Sequence, residues 1–219
     1  MTVKLNHYWT INPIMRKEYN KYIIKEFIPG INRLGMHVVA GWSVMIGSIS
    51  EIIFESVAND LDLLEKSLRD PNYKKLKVSL LNYIKSYKTK VLVKTGKKDS
   101  YSTDIKTDTV KFNQMWDVAS EKQEDFDHFV VEEFYPTLEE MGILIAGEWE
   151  VLIGDSPRIV CEGRANDVYS LISNLQSEKF LQAKKRLRNY VEDYRSRLLS
   201  FHIQKVKGYK SASYHIISD

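Results

Sequence analysis

The side chains with the means to do chemistry in this sequence come mostly in pairs at one constant spacing. Asn6 and Asn113, Glu55 and Glu162, Tyr83 and Tyr190, and Tyr87 and Tyr194 are the polar members of these pairs. An amide both donates and accepts, so Asn6 and Asn113 can orient a small ligand by its polar edge. Strand alternation sets Glu55 on the face of Ile53, and Glu162 on that of Val160. A carboxylate there needs a cationic partner or a raised pKa, so it reads equally as a general base, a ligand anchor or a strand-end salt bridge. Tyr83 and Tyr87, like Tyr190 and Tyr194, are four positions apart. On a helix that is one face, which either packs on a sheet or offers hydroxyls to a ligand in a cavity. His7 and Tyr8 have no such twin, standing opposite Gln114 and Met115. The expected ligand contacts are therefore Asn6, His7, Tyr8, Glu55, Tyr83, Asn113, Glu162 and Tyr190, with no catalytic residue assigned.

Other chemistries are disfavoured by what the chain lacks. Its histidines are His7, His37, His128, His202 and His215, and none falls in metal-ligand spacing with another or with a carboxylate cluster, so no metal site is expected. Cys161 is the sole cysteine and stands opposite Phe54, which marks it as core filling and excludes an internal disulfide or a cysteine-based zinc cluster. There is no glycine-rich phosphate loop and no Gly-x-Ser-x-Gly elbow.

These pairs are part of a longer repeat. Laid over itself so that Val3 meets Val110, the chain matches without a gap as far as Leu92 and Leu199, with 25 identities in 90 positions. Val3-Lys4-x-Asn6-x-x-Trp9 recurs from Val110, Glu26-Phe27-x-Pro29 from Glu133, Trp42-x-Val44-x-Ile46-Gly47 from Trp149, and Glu55-x-x-Ala58-Asn59-Asp60 from Glu162. Residues held in both copies are explained by building one unit twice. Activity is expected where the copies differ, as at His7/Gln114, Tyr8/Met115 and Val57/Arg164.

Each copy reads as strand, helix, strand, strand, helix, strand. Val3, Leu5, Trp9 and Ile11 alternate as in a half-buried strand. Tyr19, Tyr22, Ile23, Phe27 and Ile31 follow helical spacing from Pro13 to about Arg33, with a kink expected at Pro29 and a stop at Gly35. Strands are predicted over about Val38–Ile46 and Glu51–Val57, joined by Gly47-Ser48-Ile49-Ser50. Asn59 or Asp60 caps a helix that breaks at Asp70-Pro71 and resumes through Tyr87, and a strand over about Thr89–Thr95 closes the unit. The domain reading is repeat 1 over 1–95, a polar linker over 96–109, repeat 2 over 110–206 and a tail over 207–219 that adds a short strand near Tyr214–Ile217. One βαββαβ unit covers a single face of its sheet, and two in one chain can each cover the other's remaining face. The fold class expected is α+β: two tandem ferredoxin-like repeats closed into one pseudo-dimeric barrel within the chain.

With 219 residues and 43% hydrophobic content, the chain can bury a sizeable core. The net charge of +3 divides into +7 over residues 1–95 and −4 over the rest. The excess lysines lie between Lys74 and Lys94, where a helix needs a polar face, so no nucleic-acid partner is expected. A ribonucleoprotein-type sheet would need an aromatic run on its third strand, and Glu51–Val57 has one phenylalanine. The amphipathic start Met1-Thr-Val-Lys-Leu is unlike a secretory signal, and no run is apolar enough to span a membrane. The expectation is a cytoplasmic protein with a small-molecule partner and no membrane partner, with association into a homo-oligomer left open.

The Asn-Asp helix start, the broken second helix and the Trp-x-Val-x-Ile-Gly hairpin resemble the dimeric α+β barrel superfamily, above all NIPSNAP-like proteins, with antibiotic-biosynthesis monooxygenases as cousins. The resemblance covers all but linker and tail. It implies a protein that binds a small apolar or aromatic molecule, with monooxygenation independent of any cofactor as its candidate activity. A non-catalytic interaction or regulatory module is the alternative, and haem binding in the chlorite-dismutase manner is a third reading. Haem-degrading relatives pair a first-strand Asn with a Trp and an iron-ligating His on the second helix. Asn6 and Asn113 match the first of these, but the Trp position falls near Ser67 and Asn174 and the His position on Lys77 and Lys184. A protonated lysine is a poor iron ligand.

Overall fold

The computed structural model describes residues 2–47, 51–98, 109–207 and 212–217. Most of the expected linker and the turn at Ser48-Ile49-Ser50 lie outside the described residues. The chain divides into two compact units, Met1–Val44, Ser48–Val93 and Phe201–Asp219 forming one, and Met45–Gly47 and Lys94–Ser200 the other.

In the first unit, β1 (Val3–Ile11) leads into α1 (Arg16–Tyr22), a single π-helical turn (Ile23–Phe27) and α2 (Ile28–Arg33). Strands β2 (His37–Ile46) and β3 (Ile52–Ala58) follow, then α3 (Leu61–Arg69), α4 (Pro71–Leu81) and β4 (Ile84–Lys94). The strands lie in the order β2-β3-β1-β4, all antiparallel where register is defined, which is the ferredoxin-like arrangement. The second unit repeats it with β5 (Val110–Val118), α5 (Gln123–Phe129), α6 (Tyr135–Glu140), β6 (Leu144–Ile153), β7 (Ile159–Ala165), α7 (Val168–Gln176), α8 (Glu178–Leu187) and β8 (Val191–Lys207), in the order β6-β7-β5-β8. Every one of these elements starts at the same offset from its counterpart, from Val3 and Val110 to Ile84 and Val191. The last strand, β9 (Ala212–Ile216), pairs with the end of β8.

The local chemistry accounts for these boundaries. Pro29 has no N–H to donate one turn back, and the helix answers by widening: the Ile28 N–H reaches Ile23 O, five positions earlier. Tyr135 N–H does the same to Val130 O ahead of Pro136. The kink expected at each proline is thus a π turn. Gly35 and Gly142 end these helices at φ +86° and +75°, a region costly for other residues. Asp60 caps α3 by accepting from Leu63 N at 2.7 Å, and Asp70 caps α4 by accepting from Asn72 N at 2.7 Å.

Two boundaries differ from the sequence reading. The second helix stops at Leu81, and β4 begins at Ile84, so Tyr83 stands in the turn and Tyr87 on a strand. Tyr190 and Tyr194 are placed likewise. The shared helix face expected for these tyrosines does not exist, because a spacing of four fits two strand periods as well as one helical turn. The end of β8, from Phe201, belongs with the first compact unit, whereas the repeat boundary in sequence falls after it. Within that unit β8 pairs with β2, and Ile203 lies against Gly41, where an added Cβ would come within 2.9 Å of it.

Each unit has its own core between helices and sheet. Trp9, Tyr19, Tyr22, Phe27, Ile31, Phe54 and Val91 fill the first; Trp116, Phe126, Phe129, Phe134, Tyr135, Cys161 and Leu198 fill the second. No helix among the described residues is long and apolar enough to cross a membrane.

Candidate functional site

The sheet face turned away from the helices carries charge in both units. Strand register sets Asn6 opposite Glu55 on one side and Lys90 on the other, and Asn113 opposite Glu162 and Arg197. Asn6, Glu55 and Lys4 are all at most 1% exposed. Glu55 accepts from Trp42 Nε1 at 3.0 Å and lies 3.9 Å from Lys4 Nζ. Glu162 accepts from Trp149 Nε1 at 3.1 Å and lies 2.8 Å from Lys111 Nζ. A buried carboxylate stays ionised only with such partners, which is why the lysine, glutamate and tryptophan recur as a set. Asn6 Nδ2 donates weakly to the Tyr8 hydroxyl at 3.4 Å. The Oδ1 atoms of Asn6 and Asn113 are buried with no hydrogen-bond partner among the described residues.

His7 points to the other face, into the helix-side core. Its ring lies 5.6 Å from Phe54, 5.9 Å from Phe27 and 6.2 Å from Trp9, and its Nδ1 is 2.9 Å from the Tyr87 hydroxyl. Tyr73 OH is 3.3 Å further along. Burial, with Lys77 near, pushes the imidazole down to about 3, so it is neutral at ordinary pH. Burial also raises the Tyr73 and Tyr87 phenols. In the second unit Tyr194 OH donates to Gln114 Oε1 at 2.9 Å, the same contact with an amide in place of the imidazole. Tyr83 packs on Tyr22 at 5.1 Å, and Tyr190 stacks on Phe129 at 4.9 Å. His7, Tyr83 and Tyr190 line none of the cavities described below.

Those cavities lie near the sheet ends. In the first unit one of about 260 Å³ is lined by Thr10, Arg16, Ser43, Glu51, Ile52 and His202, among others. A neighbour of about 180 Å³ is lined by Tyr8, Trp9, Glu51, Ser86, Tyr87 and Lys88. Glu51, itself 7% exposed, lines both. Of the eight residues expected as ligand contacts, only Tyr8 lies here. Arg16, Glu51 and His202 were not expected as contacts; their signal was that the copies differ, with Gln123, Arg158 and Thr95 opposite. His202 packs against Tyr19 at 5.8 Å, and Tyr19 OH accepts from Trp9 Nε1 at 3.0 Å.

At the same place the second unit links its own side chains. Asp117, Glu150 and Arg158 stand where Thr10, Ser43 and Glu51 do. Arg158 N donates to Asp117 Oδ1 at 2.7 Å, the Ser156 hydroxyl donates to Asp117 Oδ2, and the Arg158 guanidinium reaches Glu150 at 3.5 Å. This unit instead has a shallow hollow of about 200 Å³ against α7, lined mainly by Phe112, Ile172, Leu175 and Leu198. In its core Glu148 accepts from the Tyr135 hydroxyl and pairs with Lys97 Nζ at 3.0 Å. Beside them, burial and Glu148 hold the Cys161 thiol well above its usual range, as suits core filling and not a nucleophile.

No family model matches the chain, and no curated protein matches it in sequence. Solved structures do. A "putative monooxygenase" of Fusobacterium nucleatum superposes with a TM-score of 0.66 over 99% of this chain and 98% of its own, at 10% identity. A variant of the chlorite dismutase of Candidatus Nitrospira defluvii gives 0.62 over 91% of both chains, at 8% identity. The chain has the dimeric α+β barrel fold. A NIPSNAP family protein of Agrobacterium tumefaciens covers 44% of this α+β barrel chain and 95% of its own at 20% identity, with a TM-score of 0.37.

The haem reading that the sequence resemblance implies can be set against the residues present. Lys77 Nζ lies over the Tyr87 ring at 5.0 Å and Lys184 Nζ over Tyr194 at 4.9 Å, so neither helix position offers a ligand to iron. His7 is shut in the core, and His37, His128 and His215 are exposed. His202 faces a cavity of about 260 Å³, below the ~300–1,000 Å³ of pockets for drug-sized ligands. None of these positions sets an iron ligand beside a cavity of porphyrin size. Nor do they include a group of three His, Cys, Asp or Glu side chains able to hold a metal ion.

Proposed function

We propose that this chain binds a small aromatic molecule in its first unit, at the two cavities that share Glu51. The observation that carries this reading is the difference between the copies: one end has cavities lined by polar groups, and at its counterpart Asp117, Ser156, Arg158 and Glu150 are hydrogen-bonded to one another. Tyr8, Trp9 and Tyr87 are among the residues that line the smaller cavity, and Glu51 supplies a buried carboxylate able to take a proton from a bound phenol. Oxidation of an electron-rich aromatic by O₂, without resident metal or flavin, is the activity class in keeping with this lining. The naming of the Fusobacterium neighbour supports it. Oxygen uptake by the purified chain on a panel of naphthols and hydroquinones tests it. Uptake that Glu51→Gln abolishes is expected, and no uptake with any phenol overturns the catalytic part.

A non-catalytic module is the second reading. One observation favours it: Glu55 and Glu162 are both ion-paired to a lysine in the same way, as a purely architectural pair would be. A thermal midpoint unmoved by every aromatic ligand would decide for it.

A further inference from the structure

This inference rests on the binding part of the reading above, which needs only an aromatic ring; the residues around Glu51 narrow the rest, with a ligand ammonium at the carboxylate in place of a phenol. The smaller cavity is lined by Tyr8, Trp9, Ser86, Tyr87 and Lys88, with the Lys88 ammonium 5.3 Å from the Tyr8 ring centre. The larger one presents the cation of Arg16 and the hydroxyls of Thr10 and Ser43, with the His202 ring behind them. Glu51 stands where the two meet. A single molecule filling both therefore meets residues that bear aromatic rings, with Lys88 beside Tyr8, then a carboxylate, then a guanidinium. Each of these recognises one complementary group: aromatic rings pack on rings, a buried carboxylate takes an ammonium, and a guanidinium takes a carboxylate in bidentate fashion.

We propose that the ligand is an aromatic α-amino acid or a close analogue: its ring in the Trp9/Tyr87 cavity, its ammonium on Glu51 and its carboxylate on Arg16.

Three features of the site bear on this. Arg16 is exposed and forms no ion pair among the described residues, so its guanidinium is available without breaking a contact. Glu51 already has an interaction, but a carboxylate accepts about four hydrogen bonds, which leaves capacity for an ammonium. Thr10 Oγ1 takes the Ser86 hydroxyl at 3.1 Å, and Thr10 N donates to Ser86 Oγ at 3.2 Å, so the strand ends between the cavities are held together before any ligand enters. The second unit offers none of this: Gln123, at the Arg16 position, is tied to Asp127 at 2.7 Å, and Arg158 takes the place of Glu51.

The test is calorimetric titration of the whole chain with four probes: L-phenylalanine, phenethylamine, 3-phenylpropionate and glycine. The expected order puts phenylalanine first, tighter than phenethylamine and phenylpropionate by about tenfold or more each, since a charged hydrogen bond contributes about 1.5–3 kcal/mol. Arg16→Gln should weaken phenylalanine and phenylpropionate about tenfold and leave phenethylamine within about twofold. Glu51→Gln should weaken phenylalanine and phenethylamine and leave phenylpropionate equal or tighter. Arg16 is exposed and Glu51→Gln keeps shape, and an unchanged circular-dichroism spectrum of each variant confirms that it is folded. If phenethylamine or phenylpropionate binds as tightly as phenylalanine, the amino-acid class is wrong while the aromatic site stands. If no ring-bearing probe binds, or if Ser43→Trp, which fills the larger cavity, leaves phenylalanine binding unchanged, the site itself is misplaced and both readings fall.

Discussion

Exchanging His7 for the residue its own repeat uses gives a sharp test of the buried aromatic core. The imidazole is fully buried among Trp9, Phe27, Phe54, Tyr73 and Tyr87, and Lys77 is the nearby charge. Its folded value of about 3 lies below the ordinary 6.5. The unfolded chain thus binds the proton more readily. The stability contributed by neutral His7 is fully present above pH 6.5 and is lost as pH falls toward 3. Each pH unit in that window corresponds to about 1.4 kcal/mol, so descent from pH 7 to pH 5 removes about 2 kcal/mol through this residue alone. His7→Gln should keep the hydrogen bond to Tyr87, as Gln114 keeps the one to Tyr194 at 2.9 Å. It also removes the titration. Urea unfolding of wild type and variant at pH 7, 6 and 5, followed by circular dichroism, measures the difference. Across that range the stability of His7→Gln relative to wild type should rise by the whole of that amount. A relative stability that stays flat from pH 7 to pH 5, or an imidazole proton resonance that titrates near 6.5, would refute the reasoning.

Other substitutions probe the same architecture. Trp116 Nε1 has no acceptor among the described residues because Phe126 stands where Tyr19 serves Trp9. Phe126→Tyr should therefore stabilise the chain by about 0.5–1.5 kcal/mol, read by urea midpoint. Lys111→Met takes one cation from the buried Glu162 carboxylate and should cost up to about 3–5 kcal/mol, whereas adding Glu162→Gln should recover at least half of the loss. Lys4→Met should cost less than Lys111→Met, since its ion pair is 3.9 Å long instead of 2.8 Å and the attraction falls with distance. Asp60→Ala removes the α3 cap and should cost about 0.5–2 kcal/mol in thermal or urea unfolding.

Much of the candidate chemistry was visible only as residue types. Strand alternation sets Asn6 with Tyr8 on one face of β1 and Glu55 with Ile53 on one face of β3; the register is what puts the two faces together. Alternation gives no sign that this face is buried, or that Lys4 and Lys111 lie fully buried beside the glutamates. His7 was legible as a place where the copies differ. Whether it faced a ligand or the core depended on what the π turn, α4 and β4 packed over it. The cavity residues were the least legible. Arg16 comes from a helix start, Glu51 from the edge of β3 and His202 from β8, and no local pattern links positions so far apart in the chain.

The sequence by itself determined the unit and its duplication. Apolar periodicity, Pro29 and Pro136, Gly35 and Gly142, Asp60 and the break at Asp70-Pro71 act over a few positions, so their consequences can be read without knowing what lies across the sheet. Tertiary structure decided where the tyrosine helix ends, since a spacing of four satisfies either period until packing chooses one. It also decided which buried charges meet. It left a cavity at one sheet end around Glu51 and joined Asp117 to Arg158 at the other, because those contacts link segments that only the folded chain brings together.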